Sequence, residues 1–169
     1  DRTSTEFYRK LDEAIKRVDG LLASHPDNTR LKLMRAGLAM DKSDTATAKK
    51  LATELLEVEL RNSMAQMLLA RVQMAEGRFA DAEKQLFNLK TEFPHKIAAH
   101  YWYAIAAAAT NKAQLAKDAM RTVTRLEPIE SNDHALIVEA HKRLARRLLA
   151  DFPENAYEDA RKCHENDPN

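Results

Sequence analysis

Apolar residues recur along this chain at the spacing that places them on one side of a helix, and sustained two-residue alternation is scarce. The pattern predicts nine helices, over about 4–24, 29–41, 46–59, 63–76, 79–92, 96–110, 112–126, 132–151 and 154–165. Turn-forming stretches separate them, among them Pro26-Asp27-Asn28, Lys42-Ser43-Asp44-Thr45 and Ala75-Glu76-Gly77-Arg78-Phe79. Gly77 suits a left-handed helix end, because it has no Cβ to clash there. The segment from Asn132 to Asp151 reads as one longer helix with Ile137, Leu144 and Leu148 on a stripe. Pro153 opens the last helix, which carries Tyr157 and Ala160 and runs out at Asp167-Pro168-Asn169. An all-α fold follows.

The helices are not independent of one another. Ala14, Ala48, Ala82 and Ala116 stand 34 residues apart, and so do Ala36, Ala70 and Ala104; a third series is Pro26, Leu60, Pro94 and Pro128. Three series in one register mark an internal repeat whose unit is a pair of helices. Two antiparallel helices approach closely only where a side chain is nearly absent, so alanine marks their crossing points. Proline lies between pairs, where its missing N–H and its clash with the preceding turn stop a helix.

Over Ala70 to Pro94, with Gly77, Phe79, Ala82, Leu86 and Pro94, the sequence resembles a tetratricopeptide repeat. Units over about 29–62, 63–96 and 97–130 share the resemblance, residues 1–28 hold the second helix of a preceding or capping repeat, and 131–169 form an atypical hairpin or C-terminal cap. Lys32, Gln66 and His100 stand where the family carries an aromatic residue, and Leu60 where it carries proline. The resemblance implies one structural domain, a right-handed superhelical α-solenoid of stacked antiparallel hairpins, and a concave inner surface lined mainly by the first helix of each unit. The first residue, Asp1 rather than methionine, and the turn-like ending lead us to expect a longer parent chain.

Placing the family's inner-surface positions on this chain implies a partner-binding set of Leu33, Met40, Met64, Met67, Arg71, Met74, Tyr101, Ile105 and Arg143, with Gly37, Ala108 and Glu139 beside them. Such a surface is apolar and methionine-rich, and methionine adapts to a helical or extended apolar segment of a partner. The same spacing also serves helix packing, so these side chains read equally as core. Trp102 and Tyr103, neighbours about 100° apart on a helix, cannot both face one groove. One family subclass grips acidic C-terminal tails through Lys, Asn and Arg; the matching places here hold Leu33, Gly37, Leu68, Ala98 and Trp102, which cannot donate charge-assisted bonds.

Composition narrows the chemistry. Only three glycines and five prolines occur, and 27 Lys plus Arg balance 26 Asp plus Glu, so neither nucleic acid nor an acidic membrane is drawn by net charge. No run reaches the roughly 18 apolar residues that would insert across a membrane. Cys163 is the single cysteine and cannot close an internal disulfide, and the compartment stays open. His134 and His141 lie about 10 Å apart along one helix, too far to share a zinc ion by themselves, and a hydrogen-bonded, partly buried His141 is the simpler account. Cys163 and His164 are adjacent and point apart, and no phosphate loop or His-Glu-x-x-His motif occurs. No catalytic residue, metal or cofactor is expected.

Lys142, Arg143, Arg146 and Arg147 make a basic helix face with Glu139 placed to pair Arg143. It reads first as a solvated face, then as a meeting place for an acidic protein, and last as a contact for nucleic-acid phosphates, with no aromatic residues interleaved to stack bases. The leading functional expectation is a non-catalytic scaffold holding a peptide or protein segment. Two others remain open: a recruiting accessory domain of a larger enzyme, and a homo-oligomer whose exposed end helices stack on other copies.

Overall fold

A computed structural model describes residues 2–151. The expected helix at 154–165, with Tyr157, Cys163 and His164, lies outside the described residues, as do the side chains of Arg147 and Leu148. Among the described residues there are eight helices and no strand: α1 (Arg2–Ser24), α2 (Thr29–Asp41), α3 (Thr45–Val58), α4 (Ser63–Ala75), α5 (Phe79–Glu92), α6 (Ile97–Ala109), α7 (Ala113–Val123) and α8 (Asp133–Asp151). The chain divides into two compact units, Asp1–Arg78 and Phe79–Asn169.

In the first unit each helix packs on the next, α1 on α2, α2 on α3 and α3 on α4, and α2 also meets α4. Small residues permit this: Ala36 and Ala52 form a cluster with Leu68, while Ala39 and Ala48 close around Val72. α1 adds Leu11 and Val18 to the buried set. In the second unit α6 packs on α5, α7 and α8, and α7 also meets α8. Its fully buried large side chains are Leu86, Leu89, Ile97 and Val123. The alanines of the 34-residue series are buried from Ala48 through Ala116 and from Ala36 through Ala104; Ala14 is half-buried.

The same period is written into the backbone. Ser43, Gly77 and Asn111, 34 residues apart, are the three positions with left-handed backbone among the described residues, at φ 62°, 78° and 62°. Each closes a helix end with two bonds: Ser43 N to Met40 O and Asp44 N to Ala39 O, Gly77 N to Met74 O and Arg78 N to Gln73 O, Asn111 N to Ala108 O and Lys112 N to Ala107 O. This is the Schellman pattern, which satisfies carbonyls that the helix leaves unpaired. A Cβ at Gly77 would meet nothing within 4 Å, so Gly77→Ala is expected to cost about 1 kcal/mol through backbone conformation alone. Ser43→Gly should instead raise the melting temperature slightly, and by more than Asn111→Gly, since asparagine tolerates this region better than serine. Thermal melts of the three variants check the order.

The turns between hairpins repeat as well. Asn28 and Asn62 cap α2 and α4 by accepting the amide N–H of Leu31 and Ala65, each at 3.0 Å. Gln66 donates to the Leu60 carbonyl at 3.0 Å, and His100 donates through Nε2 to the Pro94 carbonyl at 2.9 Å. Both stand where the sequence departs from the family's aromatic, and both tie the first helix to the turn before it. Lys96 occupies the position of Asn28 and Asn62 without a side-chain cap and pairs with Glu130 instead. α7 ends three residues earlier than its apolar pattern suggests, where the N–H of Thr124 and Arg125 turn back to the carbonyls of Met120 and Thr122. Before α8, the buried Asp133 carboxylate accepts the N–H of Ile129 and Glu130 at 2.8 and 2.7 Å, which closes the segment after Pro128.

Glu83 of α5 is 8% exposed. Lys112 donates to both its carboxylate oxygens at 2.7 and 2.9 Å, and Thr110 donates to one at 2.8 Å, which fixes the α6–α7 turn against α5. Burial works against the charge, but these bonds outweigh it and hold the carboxyl below the ordinary glutamate range. A lowered folded-state pKa gives stability that is complete above the unfolded value of about 4.3 and lost as pH falls through the folded one. Glu83→Gln is therefore expected to melt below wild type at pH 7, with the gap closing in acid. Melts across an acidic pH series measure it.

Candidate functional site

Helices α2 and α4 present the implied partner-binding residues of the first unit. Leu33 and Met40 are half-buried, packing on the Ala36–Ala52–Leu68 cluster, and Met40 also touches the cluster around Val72. Met64 is 38% exposed, Met74 is half-buried, and a Cβ at Gly37 would meet open space. Arg71 is half-buried with its guanidinium 3.8 Å from the Asp41 carboxylate. Burial lowers the pKa of Arg71, and the Asp41 charge counters that shift. Met67 is 5% exposed and belongs to the interior. A surface residue that the spacing argument passed over is Met34, on α2 and 48% exposed.

In the second unit Tyr101 is buried under neighbouring polar and aromatic groups. Its ring meets Trp102 edge to face at 5.4 Å, and the Arg143 guanidinium lies 5.9 Å from the ring centre. Burial raises the Tyr101 phenol pKa, with Arg143 opposing and Glu139 adding to the shift, so the group stays neutral at physiological pH. Arg143 Nε donates to Glu139 at 2.9 Å. Of the adjacent aromatics, Tyr103 is core at 4% exposure while Trp102 is half-buried. Tyr103 lies against Phe87 at 5.9 Å between ring centres, with Lys90 over both rings.

Ile105 and Arg143 come together at the mouth of a cleft of about 430 Å³ between α6, α7 and α8. The buried Ala104, Ala116, Met120 and Leu144 make its floor, Ala108 is exposed at its edge, and Lys117 and Arg146 join Arg143 as cationic lining. The contribution of α7 was not visible in an inner-surface reading, which draws on first helices. α8 carries Arg143, Leu144 and Arg146 to the cleft alongside α6 and α7; Arg143 belongs to the implied set, whereas the sequence places Leu144 on an apolar stripe and Arg146 on a basic face.

His141 is buried at 4% exposure and bonds through Nδ1 to the Ile137 carbonyl at 3.1 Å. Among the described residues no three His, Cys, Asp or Glu side chains lie close enough to hold a metal ion, and no helix is long and apolar enough to cross a membrane.

A tetratricopeptide repeat family model matches residues 33–94. Among solved structures, a thermophilic TPR protein of Thermus thermophilus superposes with a TM-score of 0.76 at 16% identity, over 99% of this chain and 89% of its own. MamA from Desulfovibrio magneticus RS-1 gives 0.66 at 16% identity, over 99% and 92%. YrrB, described as a TPR protein with an unusual peptide-binding site, gives 0.55 at 14% identity, over 99% and 83%. No curated protein sequence matches the chain. The family's model thus matches residues 33–94, the same period continues in the turn at Asn111, and the fold is that of solved tetratricopeptide repeat proteins.

Proposed function

We propose that this protein is a non-catalytic scaffold that binds a peptide or protein segment on the apolar, methionine-rich face of its first helices. The observation that carries the reading is the surface of α2 and α4. Met64 is exposed, Met40 and Met74 are half-buried, and Gly37 leaves open space beside them. An unbranched thioether adapts its rotamers to varied apolar partners, and the Arg71–Asp41 pair offers a polar group on the same two helices. The fold likeness to YrrB, which has a peptide-binding site, supports the reading. The test is a pull-down with wild type and the double variant Met64→Glu/Met74→Glu, read by mass spectrometry. A protein identified with wild type and lost with the variant, at unchanged helical content, supports the site; identical retention moves it elsewhere.

A second reading, homotypic assembly, is favoured by α1. Phe7 and Tyr8, in edge-to-face contact, and Leu21 about four turns further along α1 are each more than half exposed, at 54%, 52% and 51%, large apolar groups that another copy would cover. A mass that rises with concentration, and that Phe7→Ser/Leu21→Ser returns to monomer, is its expected signature.

A further inference from the structure

The cleft of the second unit differs in chemistry from the α2–α4 face, and we infer that it receives an acidic segment of a partner protein, with an apolar side chain seated on its floor and carboxylates on its rim. The inference rests on the scaffold reading and adds the class of partner. Three features of one site converge on it.

The first is shape and floor. A volume of about 430 Å³ lies within the range of pockets that enclose a ligand group, and alanine, methionine and leucine side chains line it. Such a floor rewards burial of a leucine or phenylalanine and offers no bonding partner to a polar one.

The second is charge. Lys117 from α7 and Arg143 and Arg146 from α8 surround that floor, whereas the chain as a whole is nearly neutral at +1. Only Arg143 is paired, with Glu139; Lys117 and Arg146 have no partner among the described residues. Asp118, the acidic neighbour of Lys117, is engaged by Gln114 and Arg121. Among the described residues the rim is therefore net positive over a low-dielectric floor, where a carboxylate is attracted more strongly than at an open surface.

The third is the placement of the aromatic groups. Tyr101 is buried at 6% exposure with Arg143 over its ring, and neither it nor Trp102 lines the cleft. Bases of a single-stranded nucleic acid would have no ring to stack on there, so an acidic peptide fits this site better than a polynucleotide. The site is also distinct from a carboxylate clamp, whose matching places hold Leu33, Gly37, Leu68, Ala98 and Trp102.

The experiment uses the whole chain and fluorescence anisotropy with four labelled probes: a short peptide of aspartate, glutamate and leucine; its serine-for-leucine counterpart; its lysine-for-acid counterpart; and oligo-dT. Saturable binding of the first probe is expected, weakening roughly tenfold for the serine peptide, about 1.4 kcal/mol, and falling as salt is raised. Lys117→Glu/Arg146→Glu should abolish it. The milder Lys117→Gln/Arg146→Gln should weaken it if the first variant melts early. Both residues are solvent-accessible, so folding is expected to survive. No binding of the acidic peptide, equal binding by wild type and both variants, or preference for the lysine peptide or oligo-dT would overturn the inference. So would a dimer that dissolves on charge reversal, since that assigns the cleft to a second copy. If the acidic peptide fails while a partner is captured through Met64 and Met74, the scaffold reading stands and only this site falls.

Discussion

Met67→Glu is expected to destabilise the first unit by about 4 kcal/mol at pH 7. Met67 is 5% exposed, so the introduced carboxylate would stand in a low-dielectric interior and either remain charged without a partner or take up a proton. The second route sets the scale. Between an ordinary carboxyl pKa of about 4.3 and pH 7, each pH unit costs about 1.4 kcal/mol. The sign follows from linkage: an acid whose folded-state pKa is raised destabilises fully above that value, and the penalty shrinks as pH falls toward the unfolded one. Melts of wild type and variant at pH 8, 7 and 5 should therefore converge toward acid. Hydrogen exchange resolved along the chain should show protection lost in α2 to α4. A pH-independent gap would mean that the loss is one of packing, and no gap at all would place Met67 on the surface. Because the side chain is interior, this substitution reports on folding, and the exposed Met64 is the better probe of partner contact.

Leu86→Ala should cost about 2–5 kcal/mol, the range for truncating a large buried aliphatic side chain that leaves a cavity. Leu86 is 0% exposed and lies on the buried stripe of α5 with Ala82 and Leu89. At about 2–4 °C per kcal/mol for a chain of this size, the melting temperature should drop by roughly 5–15 °C. Phe87→Ala supplies the contrast. Phe87 is 49% exposed and touches Tyr103 and Lys90 from outside, so its loss should be clearly smaller although its side chain is larger. Equal effects at the two neighbouring positions would rotate α5 away from the face described here.

These two positions show how much was legible in the amino-acid sequence. Leu86 is a residue of the repeat pattern, and its burial could be expected from the family resemblance. Met67 also sits in register, one repeat after Leu33 and one before Tyr101. Yet Leu33 is half-buried while Met67 and Tyr101 are interior. Register determines which way a side chain leaves its helix; how deeply it is covered depends on what packs over it, and that differs between turns of the array.

Within the residues described, the sequence by itself determined the helices and their pairing register. Small residues at fixed spacing permit close crossings, and turn residues at the same spacing end the helices. It also explains the left-handed turns, because Gly77 calls for one and Ser43 and Asn111 occupy the same place a repeat away. Tertiary structure alone decided three things. It turned Gln66 and His100 from apparent departures into bonds that hold the turns, because those contacts reach back six residues to a carbonyl. It assembled Glu83, Thr110 and Lys112 into one buried polar cluster from residues 27 and 29 positions apart. It also drew Lys117 of α7 to the same cleft as Arg143 and Arg146 of α8, since charges on different helices share a site only after the helices have packed.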